Sequence, residues 1–165
     1  MKPPAIPSVV LSLRKRSSSK NVGRVMANED EIVNILKEGN MMDLKVVDMA
    51  KMTYVEQLTL IRNTNVLVGI HGAGLMYIMF AADEAVLVEI HPSYRQDRHF
   101  RHASRVSGKI YLPMRATQRE SCQGSSDNIF VPVEEFRKTM DGALRLARYE
   151  YLCYYEFDYN AIYCI

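Results

Sequence analysis

Residues 66–80 read VLVGIHGAGLMYIMF, and this stretch decides the fold. The run 66–70 is short, apolar and rich in β-branched residues, which is typical of a strand buried on both faces of a parallel sheet. The next four residues, HGAG at 71–74, contain two glycines and predict a turn. From Leu75 to Phe80 the sequence is apolar without Pro or Gly, which predicts the first turns of a packed helix. A strand, a glycine turn and a helix form half of a βαβ unit.

The glycine turn has two interpretations. The first N–H groups of a helix have no partner inside it and, together with the helix dipole, attract an anion, while glycine lets a phosphate approach the backbone. His71 supports this interpretation, because ligands of open α/β sheets bind at the carboxyl ends of strands. In the alternative, Gly72 and Gly74 only make a tight turn. Since the dipole contributes only about 0.3–1 kcal/mol, a tightly held phosphate also needs Arg or Lys.

Length and composition restrict the class of protein. The chain has 165 residues, of which 48% are hydrophobic, enough for one domain with one core. A net charge of +2 is too small to indicate a nucleic-acid partner. No apolar run approaches the ~20 residues that cross a bilayer, so we expect neither a membrane contact nor an export signal in this segment. The three cysteines follow no metal-ligand spacing: Cys122, Cys153 and Cys164.

Strands alternate with helices along most of the chain. Strands are predicted at 8–13, 44–47, 66–70, 85–90 and 109–112. Two helices begin at capping boxes, Asn28 with Glu31 and Thr53 with Glu56, and a closing helix covers 133–147. This alternation predicts a single α/β domain with a doubly wound, Rossmann-like parallel sheet over residues 8–150. A lead segment, 1–7, precedes this domain, and a tyrosine-rich tail, 151–165, follows it.

A basic, serine-rich loop follows the first predicted strand. It begins with Arg14, Lys15 and Arg16, and three serines come after them. Because it leaves the carboxyl end of a strand, this loop is a second candidate contact for an anion.

The order of these segments resembles the carboxyl-terminal lobe of family 61 glycosyltransferases over roughly residues 8–150. The matching segments are VVLSLRKR at 9–16, Arg24 with Asn28-Glu29, VVD at 46–48, Glu56-Gln57, the stretch 65–75, and VEI at 88–90. The HGAG turn alone is a weak signal. Together with its strand, the Glu-Gln helix before it and the glutamate strand after it, the pattern is specific.

The resemblance implies a two-lobed GT-B fold in which this lobe binds a UDP-sugar donor. It implies transfer of a sugar, here N-acetylglucosamine, to a protein or glycan hydroxyl with inversion, in the lumen of the endoplasmic reticulum or Golgi. It also implies no metal or other cofactor, and the sequence contains no Asp-x-Asp. We expect the acceptor-binding lobe and the catalytic base to lie outside this sequence, so no catalytic residue is named. The alternative is a truncated, non-catalytic nucleotide-binding or interaction module.

The same resemblance implies which residues contact the donor. Arg14 or Arg16, between which the sequence does not choose, and the turn residues Gly72, Ala73, Gly74 and Leu75 would stabilise charge on the diphosphate. His71 either bonds to the phosphate or sugar of the donor or bonds only to neighbouring backbone.

Two further polar residues have alternative roles. Glu89 either accepts hydrogen bonds from ribose hydroxyls or reaches solvent at the edge of the sheet. Gln57 either reaches the nucleotide or fastens its helix, with Val55 and Leu58 facing inward, to the HGAG turn. His91, His99 and His102 have no carboxylate or cysteine at ligand spacing, so we expect surface or core positions for them and no metal site.

Overall fold

The structure is a computed structural model that describes residues 6–14, 25–39, 42–92, 98–117 and 128–148. Its strands are β1 (Ser8–Ser12), β2 (Val25–Met26), β3 (Asp43–Val47), β4 (Val66–Ile70), β5 (Val86–His91), β6 (Ile110–Arg115) and β7 (Asn128–Ile129). Its α-helices are α1 (Glu29–Glu38), α2 (Tyr54–Arg62), α3 (His99–Val106) and α4 (Val133–Arg148), and two 3₁₀ helices cover Met49–Lys51 and Ala73–Phe80. The lead segment up to residue 5, Arg16, the three cysteines and the tail lie outside the described residues. No helix in the described ranges is long and apolar enough to cross a bilayer.

Five of these strands form a parallel sheet in the order β3-β1-β4-β5-β6, which confirms the predicted α/β class. The chain moves outward from β1 to β3 and then crosses back to pair β4 with the other side of β1. The crevice at the carboxyl ends of β1 and β4 is therefore the topological switch point. Ligands of doubly wound sheets bind at such a point.

The sheet separates two apolar layers, because successive strand side chains point to opposite faces. One layer packs the even-numbered residues of β4 and β5 against α1 and α4, with Ile32 and Phe136 at its centre. The other packs odd-numbered residues such as Leu67 and Leu87 against α2, α3 and the Ala73–Phe80 helix. Every residue of β4 and β5 is buried, as their continuous apolar sequences predict.

The helix after the glycine turn is a 3₁₀ helix rather than the packed α-helix that its apolar sequence predicted. Leu75, Ile78 and Ala81 are buried at intervals of three residues, which is the period of a 3₁₀ helix. Met76, Met79 and Phe80 lie between them and are exposed. A uniformly apolar run carries no periodicity, so the sequence did not separate the buried residues from the exposed ones.

One of the two predicted capping boxes is present. At the start of α2, Thr53 Oγ1 accepts from the N–H of Glu56, whose carboxylate accepts from the N–H of Thr53. The prediction that Val55 faces inward is wrong, because this side chain is 70% exposed. The helix buries Ile61 instead, and it partly buries Leu58.

The predicted capping box at Asn28 does not form, because the side chain of Asn28 makes no bond to the helix backbone. Its amide instead forms a clasp with residue 131, donating to the carbonyl of Val131 at 2.9 Å and accepting from its N–H at 3.0 Å. Beside this Asn28–Val131 clasp, β2 and β7 pair as a small parallel sheet. Neither β2 nor β7 was among the strands predicted from the sequence.

The period of the Ala73–Phe80 helix can be tested by two neighbouring substitutions. Ile78→Ala removes a fully buried side chain and should lower the free energy of unfolding by about 2–5 kcal/mol. Met79→Ala changes a side chain that is 43% exposed and should cost less than about 0.5 kcal/mol. Urea unfolding measures both values. Equal costs would contradict the observed burial pattern.

Candidate functional site

The guanidinium of Arg14 lies against Gly72 at the switch point between β1 and β4. A Cβ built on Gly72 would lie 2.1 Å from Nη2 and 2.6 Å from Cζ of Arg14, closer than real atoms approach. The backbone of Gly72 is extended, with φ 169°, so residue 72 is glycine for space and not for an unusual conformation. The structure thereby brings together two predicted site residues from separate loops. Arg16, the alternative arginine, falls outside the described ranges.

The other turn residues have different surroundings. A Cβ on Gly74 would meet Met49 Sδ and Ser12 Oγ at 3.9 Å, an ordinary contact. Ala73 is exposed. Leu75 donates its N–H to the carbonyl of Gly72 at 2.9 Å and buries its side chain, so this residue serves the turn and the core. The backbone N–H groups of residues 72–74 come earlier in the chain than this bond, which is the first hydrogen bond of the helix.

Gln57 has a structural role in this part of the molecule. Its side-chain amide donates to the carbonyl of Met49 at 2.6 Å and to that of Met52 at 3.1 Å. These bonds fasten α2 to the short Met49–Lys51 helix, and not to the HGAG turn as one of the two sequence hypotheses had it.

Next to the turn, the carboxylate of Glu89 is completely buried and is bonded through both oxygens. Oε1 lies 2.5 Å from Nδ1 of His71. Oε2 accepts from the hydroxyl of Tyr111 at 2.6 Å and lies 3.2 Å from Nε2 of His91. The same Nε2 is 2.8 Å from the Tyr111 oxygen. We call His71, Glu89, His91 and Tyr111 the Glu89 network.

The network fixes which atoms carry protons. Tyr111 has a single hydroxyl proton and donates it to Glu89, so His91 Nε2 must be the donor to the Tyr111 oxygen. An ionised carboxylate only accepts, so Nδ1 of His71 carries the proton that it shares with Oε1. Nδ1 of His91 is buried and has no hydrogen-bond partner in the described part of the chain.

Opposing effects act on the ionisation of the Glu89 network. Burial alone raises the pKa of Glu89, but the hydrogen bonds from His91, Tyr111 and His71 outweigh it, and the pKa is lowered below the ordinary value of 4.5. Burial, followed by the bond to Glu89 and its charge, raises the pKa of Tyr111 well above the ordinary 10.0. At neutral pH the network therefore holds a carboxylate and a protonated phenol.

His71, Glu89 and His91 are residue types that bind metal ions, and their ligand atoms lie within 4.8 Å of one another. Two ligands of a tetrahedral zinc ion would be separated by roughly 3.3 Å, given metal–ligand bonds of about 2.0–2.2 Å. The 2.5 Å between His71 Nδ1 and Glu89 Oε1 is a hydrogen-bond distance instead. These atoms share a proton in the observed geometry. His99 and His102 are exposed on α3, as expected.

Sequence reasoning missed the contributions of His91 and Tyr111, because only the pairing register of the strands brings both to Glu89. In the parallel register Gly69 lies opposite Glu89, and Leu87 lies opposite Tyr111. Odd-numbered residues of these three strands therefore share one face of the sheet. This alternation places all four members of the Glu89 network on that face. His71, Glu89 and His91 lie near its carboxyl edge, and Tyr111, the second residue of β6, reaches Glu89 from further back along the sheet. The ring of Phe100 from α3 packs edge-on against His71, with centroids 5.1 Å apart.

A family model described as Glycosyltransferase 61 matches residues 3–88, and the chain belongs to this family.

Among curated proteins, the chain is similar to the EGF domain-specific O-linked N-acetylglucosamine transferases of several animals. It is 33% identical to that of Gallus gallus over 94 residues, which are 56% of this chain and 17% of that enzyme. The enzyme of Drosophila melanogaster is 31% identical over 90 residues, 54% of this chain and 16% of the enzyme. The similarity thus spans under a fifth of these relatives.

Among solved structures, the chain resembles a flavodoxin-like domain from Synechococcus sp. The TM-score is 0.53 with 12% sequence identity, and the match covers 86% of this chain and 96% of that domain. At this identity the likeness shows the fold alone, a flavodoxin-like doubly wound sheet.

The donors around Glu89 can be tested by acid unfolding. Because the pKa of Glu89 is lowered in the folded protein, its stabilising effect is present above the unfolded pKa and is lost as the pH falls through the folded pKa. Tyr111→Phe removes one donor and should lower the free energy of unfolding by roughly 1–3 kcal/mol at neutral pH. The folded pKa of Glu89 should rise towards the unfolded value, so the loss of stability in acid should be smaller and should be complete at a higher pH.

Urea unfolding at neutral pH and at a series of acid pH values measures both effects. Tyr54→Phe is the control, because this tyrosine is 61% exposed and should show the acid profile of the parent. Identical profiles for Tyr111→Phe and the parent would contradict the bond to Glu89.

Proposed function

We propose that the chain forms the donor-binding lobe of a GT-B glycosyltransferase and holds the diphosphate of a UDP-sugar at the β1/β4 switch point. The observation that carries this proposal is the guanidinium of Arg14 against Gly72 in that crevice. A guanidinium offers paired N–H donors that match phosphate oxygens. Family membership supports the reaction class.

The proposed chemistry is an inverting transfer to a protein or glycan hydroxyl. As the bond between the anomeric carbon and the diphosphate oxygen breaks, negative charge grows on the diphosphate, and fixed donors stabilise it. Arg14 supplies a charged donor, and the backbone N–H groups of Gly72, Ala73 and Gly74 are the neutral candidates. We propose that these groups act without a divalent ion. The acceptor hydroxyl and its base come from a part of the enzyme outside this sequence.

The proposed donor is UDP-N-acetylglucosamine. This choice is supported by the relatives, which are named as N-acetylglucosamine transferases specific for EGF domains. From the resemblance to family 61 glycosyltransferases, we also propose that the protein acts in the lumen of the endoplasmic reticulum or Golgi. The similarity covers about a sixth of each of these enzymes, so donor, acceptor and compartment are proposals for this chain.

The first test concerns the metal. Titration calorimetry of the chain with UDP should give the same affinity with and without EDTA, because the diphosphate is held by protein groups. A UDP signal that disappears on chelation and returns with manganese would show that this model of the site is wrong.

The second test uses the two glycines of the turn as a matched pair. Gly72→Ala places a methyl group where the Arg14 guanidinium lies, so it should displace that flexible side chain without unfolding the protein. UDP binding should weaken by roughly 1.5–3 kcal/mol, as in Arg14→Ala, the range for a hydrogen bond to a charged group. Gly74→Ala adds a methyl group in ordinary contact and should change UDP binding little.

Circular dichroism verifies the fold of each variant, and calorimetry measures the affinity for UDP. In an Arg14→Ala background, Gly72→Ala should have little further effect, because the arginine that it displaces is already absent. Undiminished UDP binding by folded Gly72→Ala and Arg14→Ala variants would place the donor elsewhere.

A further inference from the structure

Glu89 is not placed to bind ribose, which was one of its two sequence-based roles. Its side chain is 0% exposed, and both carboxylate oxygens already accept hydrogen bonds within the protein. A carboxylate so completely enclosed does not reach a ligand directly. Its bond to His71 instead connects it to the residue that precedes Gly72.

His71 lies beside the charged carboxylate of Glu89, and its ring is held in one orientation. Glu89 holds Nδ1, the N–H of the backbone donates to Ile90 at 2.9 Å, and Phe100 packs edge-on against the ring. Tyr111 and His91 in turn hold the far oxygen of Glu89. The ring therefore has one orientation, with its Nδ1 proton on the carboxylate.

Resting on the proposed UDP site, we propose that Glu89 is a positioning residue that acts on the diphosphate through His71. The carboxylate fixes Nδ1 as a donor and, together with the backbone bond to Ile90, holds His71 in place beside Gly72. Tyr111 and His91 keep the carboxylate ionised and in place. The Glu89 network thus fixes the residue from which the glycine turn begins.

Electrostatics explains why such a network suits a phosphate site. A buried carboxylate near a diphosphate repels it, and in a medium of low dielectric this repulsion is strong. The Nδ1–H group of His71 meets this charge at the side where the turn begins. The other ionisable groups around the network are His91 on β5, Tyr111 on β6, Arg101 on α3, which acts on Tyr111, and Arg14 at the end of β1.

The test is a double-mutant cycle between Glu89→Gln and His71→Asn, read as affinity for UDP. Glutamine keeps the shape of the carboxylate and an acceptor for Nδ1–H, but it removes the charge. Asparagine keeps an amide N–H near the position of Nδ1, but it removes the rest of the ring. Each single change should weaken UDP binding about 10- to 150-fold, the equivalent of one hydrogen bond to a charged group.

The outcome of the cycle separates three roles of Glu89. If it acts through His71, Glu89→Gln in the His71→Asn background should change UDP affinity less than about twofold. If the fold-changes in UDP affinity of the two single variants multiply in the double variant, Glu89 contacts UDP independently of His71, as it would if it bound the ribose. That result would overturn the proposal. Unchanged UDP affinity in a folded Glu89→Gln variant would also overturn it, and would leave Glu89 with a purely structural role.

A second measurement uses the parent chain, so it does not depend on whether any variant folds. Long-range ¹H–¹⁵N NMR of the parent chain, both alone and with UDP, should show His71 protonated at Nδ1. A His71 ring protonated only at Nε2 would overturn the inference even if the chain binds UDP. A parent chain that does not bind UDP at all, with Nδ1 protonated as expected, would instead overturn the proposed function on which the inference rests.

Discussion

A buried carboxylate is the constraint on which this end of the molecule depends. Glu89 has no access to water, so its charge must be met by donors from within the protein, since an unpaired buried charge costs several kcal/mol. The donors come from the end of β4, from β5 itself and from β6. Three strands must therefore keep one register for the carboxylate to be satisfied. The same register sets the position of the HGAG turn, because the turn begins at His71.

The class of fold could be predicted from the sequence, and three elements, β4, β5 and α4, show why. Continuous apolar runs at 66–70 and 85–90 leave few alternatives to strands covered on both faces, and the structure places β4 and β5 there. The helix over 133–147 was equally clear, because its apolar residues recur with the helical period. The run after the turn offered no such period. Whether it formed an α-helix or a 3₁₀ helix depended on packing against the sheet.

The candidate site could be predicted only in part from the sequence. The carboxyl ends of strands drew attention to Arg14 and the turn, but not to the reason why residue 72 is a glycine. That reason is a side chain 58 positions earlier in the chain, whose guanidinium occupies the space of a Cβ. Glu89 was selected for its place at a strand end, and only the register shows that Tyr111 and His71 enclose it. Patterns within a segment do not report contacts between segments.

The Asn28–Val131 clasp has a consequence for the order in which the chain folds as it is synthesised. The side-chain amide of Asn28, the residue before α1, meets the backbone of a residue 103 positions later, just before α4. Until α4 has been synthesised, it cannot cover the apolar side of α1, which carries Ile32 and Leu36. Contacts so distant in sequence form slowly, because a long loop must close first. A nascent chain paused before residue 131 would therefore expose this apolar surface to chaperones.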